Sequence, residues 1–439
     1  MWLSGVSKNI LYKLFELLFK YSPLISSGVV YPEKFFIVSF LSKFPLITVI
    51  YFLLSFASSL LLKLNFSKKF LLIFALLLSL EPFYLGITGF YHLSGLESAF
   101  IFSSSVSLIY FLKKYNLKYL IISSILFALA FATKSPALVV TPVFVILVFL
   151  FLHKKPVFIF KVLLIYIFIF LCTLYLIFPA SWLEPFNIFI KIYQKGVLDR
   201  GFSDNPHASI LNNRFLYYYE IFFTKTLGLN IVFLFLVIWG IYSNKINKHK
   251  YLFIYSGMFS IYYFLIMSFL TKQLTRYTVI AYPFIFMIIA YGYYFFLSKN
   301  IRFKKVFLVF VFIYYSLTFY SLYPNFSTFH GEFLGGYRGY FKYKRIINDG
   351  EHYLQAGQYL NNKYKNEAYN FTLVTTEGNK VVSVKNVFLG ETFTGKVRNV
   401  FKKYSTIYVL SSFDDTEDKP DCPIEERFGH RWGPITLLI

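Results

Sequence analysis

Residues 97–133 read ESAFIFSSSVSLIYFLKKYNLKYLIISSILFALAFAT, and this stretch contains the pattern that decides the fold. Two apolar runs, 97–112 and 119–133, flank a short loop, Lys113–Lys118, in which every charge is basic. A run that approaches ~20 apolar residues is long enough to cross a bilayer as a helix. The stretch therefore predicts two membrane-spanning helices joined by a basic loop.

The same alternation continues along the chain. Further apolar runs lie at 45–62, 70–90, 137–152, 157–178, 227–243, 252–270, 277–297 and 306–323. Together with the first two, they predict about ten spans. Five loops contain several Lys or Arg and neither Asp nor Glu: Lys63–Lys69, Lys113–Lys118, His153–Lys161, Asn244–Lys250 and Ser298–Lys305. Since loops rich in Lys and Arg stay in the cytoplasm, these five are predicted to be cytoplasmic and the others to face outward.

Composition agrees with a multi-pass protein of the plasma membrane. Apolar residues make up 57% of the chain and aromatic residues 23%, and the mean hydropathy is +0.57. A net charge of +23 would suggest nucleic acid as the partner of a soluble protein. Here topology-setting Lys residues beside anionic lipid headgroups explain it, so membrane lipids and no nucleic acid are the expected partners. Neither a CxxC nor an HExxH motif is present, which argues against a structural zinc site.

Two flanking regions differ from the membrane core at 45–324. Residues 1–44 are predicted to face outward, with an amphipathic helix at 8–20 lying in the interface plane. Residues 325–439 predict an extracytoplasmic α/β domain, with a helix at Asp349–Tyr364 and strands at Phe371–Thr376, Lys380–Val387 and Thr406–Ser411. The expected fold class is therefore a mostly α, polytopic membrane protein with a small C-terminal α/β domain.

Polar groups that face outward are the candidates for chemistry. His92 and Glu97 lie at the mouth of an apolar span, where a carboxylate is costly unless it is paired, metal-bound or functional. A Glu at the water interface is the equally simple alternative. Lys134 stands alone between two apolar runs, on the side where cations are disfavoured, so it indicates either an anionic partner or a side chain that reaches lipid phosphate.

A second outward turn is also basic. Lys272 and Arg276 lie in KQLTRY, residues 272–277, and an Arg fork fits phosphate with two hydrogen bonds. Together with Lys134 this turn would form an anion site. The alternative is a basic turn at lipid headgroups.

The long outward loop at 179–226 is the fourth candidate. Loops of this length are uncommon unless they are functional. Its aromatic and polar residues suit a sugar-binding cleft and equally an interfacial aromatic belt. Its candidate substrate-binding residues are Trp182, His207, Arg214 and Tyr218.

The order of several motifs resembles a known family. The motifs are LEPFYL at 80–85 with HLSGL at 92–96, FALAFATKSPAL at 127–138, FPASWLEP at 178–185 with YYY at 217–219, KQLTRYTVIAYP at 272–283, and YP at 323–324 with GG at 335–336 and the helix at 350–361. They resemble the bacterial and archaeal branch of the dolichyl-phosphate-mannose protein mannosyltransferases, glycosyltransferase family 39, within the glycosyltransferase-C superfamily. The likeness covers residues 1 to about 364.

The resemblance implies an inverting sugar transfer on the outer face. The donor would be a polyprenyl-phosphate-linked mannose or related hexose, and the acceptor a hydroxyl of a protein, lipid or glycan. A carboxylate would deprotonate the acceptor, while cations stabilise the departing phosphate. Some members of the superfamily also use a divalent ion such as Mg²⁺ or Mn²⁺. Carried over to this chain, the resemblance implies Arg276, Lys134 and Lys272 as the phosphate-binding residues, and His92, Ser94, Trp182, His207, Arg214, Tyr218 and Tyr277 as the substrate-binding ones.

The chain departs from the family pattern in two places. It opens at Met1-Trp2-Leu3-Ser4-Gly5, which resembles the segment after the family's first span and acidic loop, so that span and its presumed base are expected to be missing. Ser94 occupies the position where the family has an acidic residue. Glu97 lies one helical turn further on and shares a face with Ser94, which makes it the expected catalytic carboxylate.

Two other functions fit the sequence. A transporter or flippase of lipid-linked saccharides would have discontinuous helices and charges at mid-membrane, whereas nearly all charge here is expected at span ends. An inactive membrane subunit that binds lipid phosphate is the third hypothesis. The glycosyltransferase hypothesis predicts that Glu97, Lys134 and Arg276 converge on one cavity.

Overall fold

The computed structural model describes residues 32–89, 93–178, 182, 190, 216–242, 250–269, 275–298, 304–322 and 326, and five strands within 372–438. These residues fall into two compact units, of which one is Ile47–Phe312 and the other comprises the parts of the chain on either side. The predicted helices at 8–20 and Asp349–Tyr364 and the predicted strand at Lys380–Val387 lie outside the described residues. The described part is mostly helical, as the apolar runs predict.

The helices follow the apolar runs. They are α1 Pro32–Lys63, α2 Lys68–Ser79, α3 Pro82–Gly89, α4 Ser94–Lys114, α5 Leu117–Thr133, α6 Thr141–Leu152, α7 Pro156–Ile177, α8 Tyr217–Lys225, α9 Gly228–Tyr242, α10 Lys250–Phe269, α11 Tyr282–Ser298 and α12 Lys304–Leu322. Two 3₁₀ segments, Ser135–Val140 and Thr275–Ala281, lead into α6 and α11.

Six described helical segments are long and apolar enough to cross a membrane, and the number rises to eight if each of two bent helix pairs forms one span. Helix α5 is apolar but has only 17 residues. These helices are consistent with an integral membrane protein. The number of ten spans stays a prediction.

One of the predicted spans is not a continuous helix, and a second bent helix pair includes α8, which lies in the predicted outer loop 179–226. The run 70–90 divides into α2 and α3, which meet at 69°. Pro82 explains this break, because its ring and its missing N–H disfavour continuation of the preceding helix. Helices α8 and α9 meet at 118° across Thr226 and Leu227. The structure thus contains the discontinuous helices that the sequence argument associates with a transporter.

Helix α4 lies at the centre of the larger unit, and 94% of its 18-residue apolar segment is buried. Its serines bind neighbouring helices: Ser104 Oγ donates to the Ser123 carbonyl at 2.7 Å, and Ser123 Oγ donates to the Ser104 carbonyl at 2.8 Å. Ser103 Oγ donates to the Leu53 carbonyl at 2.8 Å. Small polar residues let helices approach closely within a bilayer, which explains this serine-rich span.

Helix α7 is the most exposed of these helices in comparison, since only 22% of its 18-residue apolar segment is buried. Val157, Phe160 and Phe168 are exposed over 83%, 66% and 68% of their surfaces. An apolar surface of this kind suits contact with lipid chains rather than water.

The second unit contains a five-stranded sheet in the order β2-β1-β3-β5-β4. Its strands are β1 Thr372–Thr375, β2 Glu391–Thr394, β3 Ile407–Ser412, β4 Glu426–Gly429 and β5 Ile435–Leu438. β1 pairs in parallel with β2 and β3, and β5 pairs antiparallel with β3 and β4. Strands β1 and β3 coincide with two of the predicted β-rich runs. The outward position of this unit stays a prediction.

Candidate functional site

Three separate parts of the larger unit meet around the ammonium group of Lys134. Lys134 follows the last residue of α5 and caps its C-terminus with an extended backbone. Its Nζ donates a hydrogen bond of 2.9 Å to Ser94 Oγ, at the start of α4. The same Nζ lies 4.5 Å from the ring centroid of Tyr277, in the second 3₁₀ segment. Lys134 is thereby held at the junction of α4, α5 and this segment.

Glu97 is the acidic group of this junction. It lies in the first turn of α4, one turn beyond Ser94, and its side chain is fully buried, with 0% exposed. Neither carboxylate oxygen has a hydrogen bond of good geometry within the described part of the chain, and the Ala137 backbone N–H is a nearby stabilising donor. Glu97 interacts electrostatically with Lys134. A buried carboxylate without well-formed hydrogen bonds is costly, and such groups concentrate at functional sites.

Arg276 belongs to the same end of the helical unit. Ser98 Oγ donates to the Val279 carbonyl at 3.1 Å, which packs the second 3₁₀ segment against the beginning of α4. Arg276 immediately precedes Tyr277 in that segment, and its Nε is buried without a hydrogen bond to any described residue. Arg276 is thus the chain neighbour of the residue whose ring contacts Lys134, in a segment that packs near the end of α4 that carries Glu97.

Buried tyrosines line the same region. The Tyr263 hydroxyl, on α10, lies within electrostatic range of Glu97, Tyr218 and Tyr277. Tyr263 and Tyr218 are both 0% exposed, and the Tyr263 hydroxyl has no hydrogen bond to a described residue. Sequence reasoning selected Tyr218 and Tyr277 but missed Tyr263. A tyrosine in the middle of an apolar run looks like packing until its neighbours are known.

The structure leaves the other candidates apart from this group or outside its described part. Trp182 is 54% exposed, and its indole N–H donates to the Tyr175 carbonyl at the end of α7. That position suits the aromatic-belt alternative. Four further candidates lie outside the described residues: His92, His207, Arg214 and Lys272.

A second polar cluster joins the two helix breaks. Glu81 lies between α2 and α3 and is fully buried. Its Oε1 accepts a hydrogen bond of 3.2 Å from the Leu227 backbone N–H, and its Oε2 accepts one of 2.8 Å from Asn230 Nδ2. The Tyr293 hydroxyl then donates to Asn230 Oδ1 at 3.1 Å. Sequence reasoning missed Glu81, although an acid followed by Pro82 inside an apolar run is itself a signal of an interrupted span.

Lys225 is the last residue of α8 and so lies at the second of these breaks. Only 2% of its surface is exposed, and its Nζ lies 5.6 Å from the ring centroid of Phe83. The Tyr282 hydroxyl donates to the Lys225 carbonyl at 3.3 Å and also lies 3.1 Å from Thr226 Oγ1. Tyr282 begins the helix that follows the Tyr277 segment. The two polar clusters are therefore attached to one continuous stretch of chain.

The predicted cavity stays a prediction. Two cavities are described, with volumes of about 460 Å³ and 10 Å³, and neither is lined by Glu97, Lys134 or Arg276. The described residues also contain no group of three or more His, Cys, Asp or Glu side chains suited to a metal ion. A lone carboxylate beside Lys134 is a poor donor set for Mg²⁺ or Mn²⁺, which prefer several oxygen ligands.

We find neither a protein-family model nor a curated protein that matches this chain. The geometry of the two clusters therefore carries the functional argument.

Proposed function

We propose that this protein is a membrane glycosyltransferase that moves mannose or a related hexose from a polyprenyl-phosphate donor to an acceptor hydroxyl. The proposal places the reaction at the outer face of the plasma membrane. One observation carries it: the buried carboxylate of Glu97 interacts electrostatically with Lys134, which is held by Ser94 and Tyr277.

This arrangement supplies the two kinds of group that the reaction needs. Glu97 would accept the proton of the acceptor hydroxyl while that oxygen attacks the anomeric carbon. The bond between the anomeric carbon and the phosphate oxygen breaks, and the polyprenyl phosphate leaves with the bonding electrons. Lys134 and Arg276 would stabilise the negative charge that develops on the phosphate. Because attack and departure occur on opposite sides of the anomeric carbon, the configuration inverts.

In this proposal the side chains themselves supply the charges at the site. The carboxylate is already neighboured by the cation Lys134, and positive side chains serve the leaving phosphate directly. Tyr218 and Tyr263 would present rings and hydroxyl groups to the sugar or to the donor phosphate, and the Tyr277 ring would hold Lys134 in place.

A specific observation favours a second candidate, a transporter or flippase of lipid-linked saccharides. The structure contains two bent helix pairs, and the Glu81 carboxylate at one break accepts a hydrogen bond from Leu227 at the other. Broken helices commonly form binding sites in transporters. Movement of a labelled polyprenyl-phosphate sugar across vesicle membranes, without transfer to any acceptor, is the result that distinguishes this candidate.

The decisive experiment measures donor binding and sugar transfer on the same preparations. Membranes containing the full chain, its Glu97→Gln form and its Lys118→Gln form are incubated with radiolabelled polyprenyl-phosphate mannose. Lys118 is an exposed lysine of a predicted cytoplasmic loop, and its replacement is the control for loss of a charge outside the site. Transfer by the parent and the control, lost in Glu97→Gln while donor binding persists, supports the proposal. Binding without transfer in all three forms would indicate the inactive phosphate-binding subunit and overturn it.

A further inference from the structure

The larger described cavity is a groove of about 460 Å³ on the surface of the larger unit, remote in sequence from the transfer site. It is lined by Tyr115, Lys155, Pro156, Val157, Phe158 and Lys161. Both predicted cytoplasmic loops that form it, Lys113–Lys118 and His153–Lys161, carry several lysines and no acid. The groove is therefore basic along its polar rim.

An unusual backbone conformation shapes the groove. Tyr115 ends α4 in the left-handed region, with φ 55°, which is uncommon for a bulky residue and costs energy unless its surroundings stabilise it. The ring of Tyr115 lies 5.1 Å from Lys155 Nζ and 5.9 Å from the ring centroid of Phe158. These contacts place two aromatic rings and the Lys155 ammonium group side by side at the N-terminus of α7.

Apolar surface continues from the groove along α7. Val157 and Phe160 begin a stripe of exposed side chains at helical spacing, and Leu164, Phe168 and Leu171 extend it with 52%, 68% and 51% of their surfaces exposed. Lys161 lies one turn beyond Val157, so cation and stripe meet at one end of the helix. A ligand that fits both features has an anionic head and at least one long hydrocarbon chain.

We propose that this groove binds the headgroup of an anionic phospholipid of the predicted cytoplasmic leaflet, with an acyl chain lying along α7. Lys155 and Lys161 contact the phosphate, and Tyr115 stacks against the headgroup from the side. Basic pockets between transmembrane helices on the cytoplasmic side are a common form of lipid site. The stripe selects the lipid over free phosphate, because phosphate has no chain to cover it.

The test compares lipids and matched variants by native mass spectrometry. The delipidated full chain, in detergent, is titrated with dioleoyl phosphatidylglycerol or dioleoyl phosphatidylcholine. The Lys155→Gln/Lys161→Gln form removes the two groove cations. The Lys304→Gln/Lys305→Gln form removes two exposed lysines at the start of α12 and changes the net charge equally.

We expect the parent to bind phosphatidylglycerol in preference to phosphatidylcholine. The groove variant should bind phosphatidylglycerol about thirtyfold more weakly, since each Lys beside an anionic headgroup contributes roughly fivefold. The α12 variant should bind as the parent does. Equal losses in both variants, or no loss in the groove variant, would overturn the proposal. Displacement of the lipid by an equal concentration of inorganic phosphate would also overturn it, because it would assign the groove to phosphate alone.

Discussion

Glu81 and Leu227 are 146 residues apart in the chain, yet the Glu81 carboxylate accepts a 3.2 Å hydrogen bond from the Leu227 backbone N–H. Each residue lies at a break between two helices. Glu81 therefore satisfies a backbone donor that the break would otherwise leave without a partner inside the bilayer. The carboxylate stabilises both interruptions at once, and it also orients Asn230.

Replacing Glu81 should destabilise the protein without touching the transfer site directly. Glu81→Ala leaves the Leu227 N–H and Asn230 Nδ2 as buried donors that have lost an acceptor, which should cost about 2 kcal/mol. Glu81→Gln should cost less, because its amide retains one acceptor oxygen. Thermal unfolding in detergent measures whether Glu81→Ala lowers the unfolding temperature more than Glu81→Gln does. Equal stability of Glu81→Ala and the parent would contradict the assigned role.

Replacing Glu97 should reduce sugar transfer much more than it changes stability. Glu97→Gln removes the cost of a buried charge and also the electrostatic partner of Lys134, so the two effects oppose each other and the unfolding temperature should change little. Loss of a general base should reduce transfer about 10²–10⁴-fold. Unfolding temperature and transfer rate are measured on one preparation. A large fall in unfolding temperature with unchanged transfer would assign Glu97 to the fold instead.

The contact between Lys134 and Tyr277 should depend on the ring and not on its hydroxyl. Tyr277→Phe retains the aromatic face below the Lys134 ammonium, whereas Tyr277→Leu removes it. A desolvated cation–π contact contributes about 2 kcal/mol, so the leucine variant should lose roughly tenfold or more in donor affinity. Donor binding by the phenylalanine variant should match the parent. Equal binding by both variants would show that the ring does not position Lys134.

Close approach of α3 and α4 should make Gly95 irreplaceable. A Cβ atom at Gly95 would overlap Thr88 Cγ2. Thr88 cannot turn away freely, because its Oγ1 donates to the Tyr84 carbonyl at 2.7 Å. Gly95→Ala should therefore separate the two helices, lower the unfolding temperature and disturb the neighbouring Ser94.

Gly257 provides the control for this substitution, since a Cβ atom there meets nothing within 4 Å. Gly257→Ala, in the middle of α10, should leave stability unchanged or raise it slightly, because Ala favours a helix more than Gly. Thermal unfolding of the two variants side by side makes the comparison. Equal effects at both positions would show that helix propensity, and not close packing, determines the result.

Part of the candidate site follows from sequence reasoning alone. Glu97 and Lys134 were selected because polar groups stand out beside apolar runs, and Tyr277 because its motif resembles that of a known family; the described structure brings these three together. Their roles in transfer stay predictions. Tyr263 could not be selected in this way, since hydropathy cannot tell a tyrosine that faces Glu97 from one that faces lipid.

The sequence by itself determined which segments leave water, because a long apolar stretch partitions into the bilayer whatever its neighbours are. Hence the helices of the larger unit follow the predicted runs, except α8, which lies in the predicted loop 179–226. Only the tertiary structure decided where Glu81 finds its donors and how Lys134 reaches Ser94 and Tyr277. Such contacts join residues that are far apart in the chain, and they depend on how whole helices pack, which local patterns of hydropathy and charge do not specify.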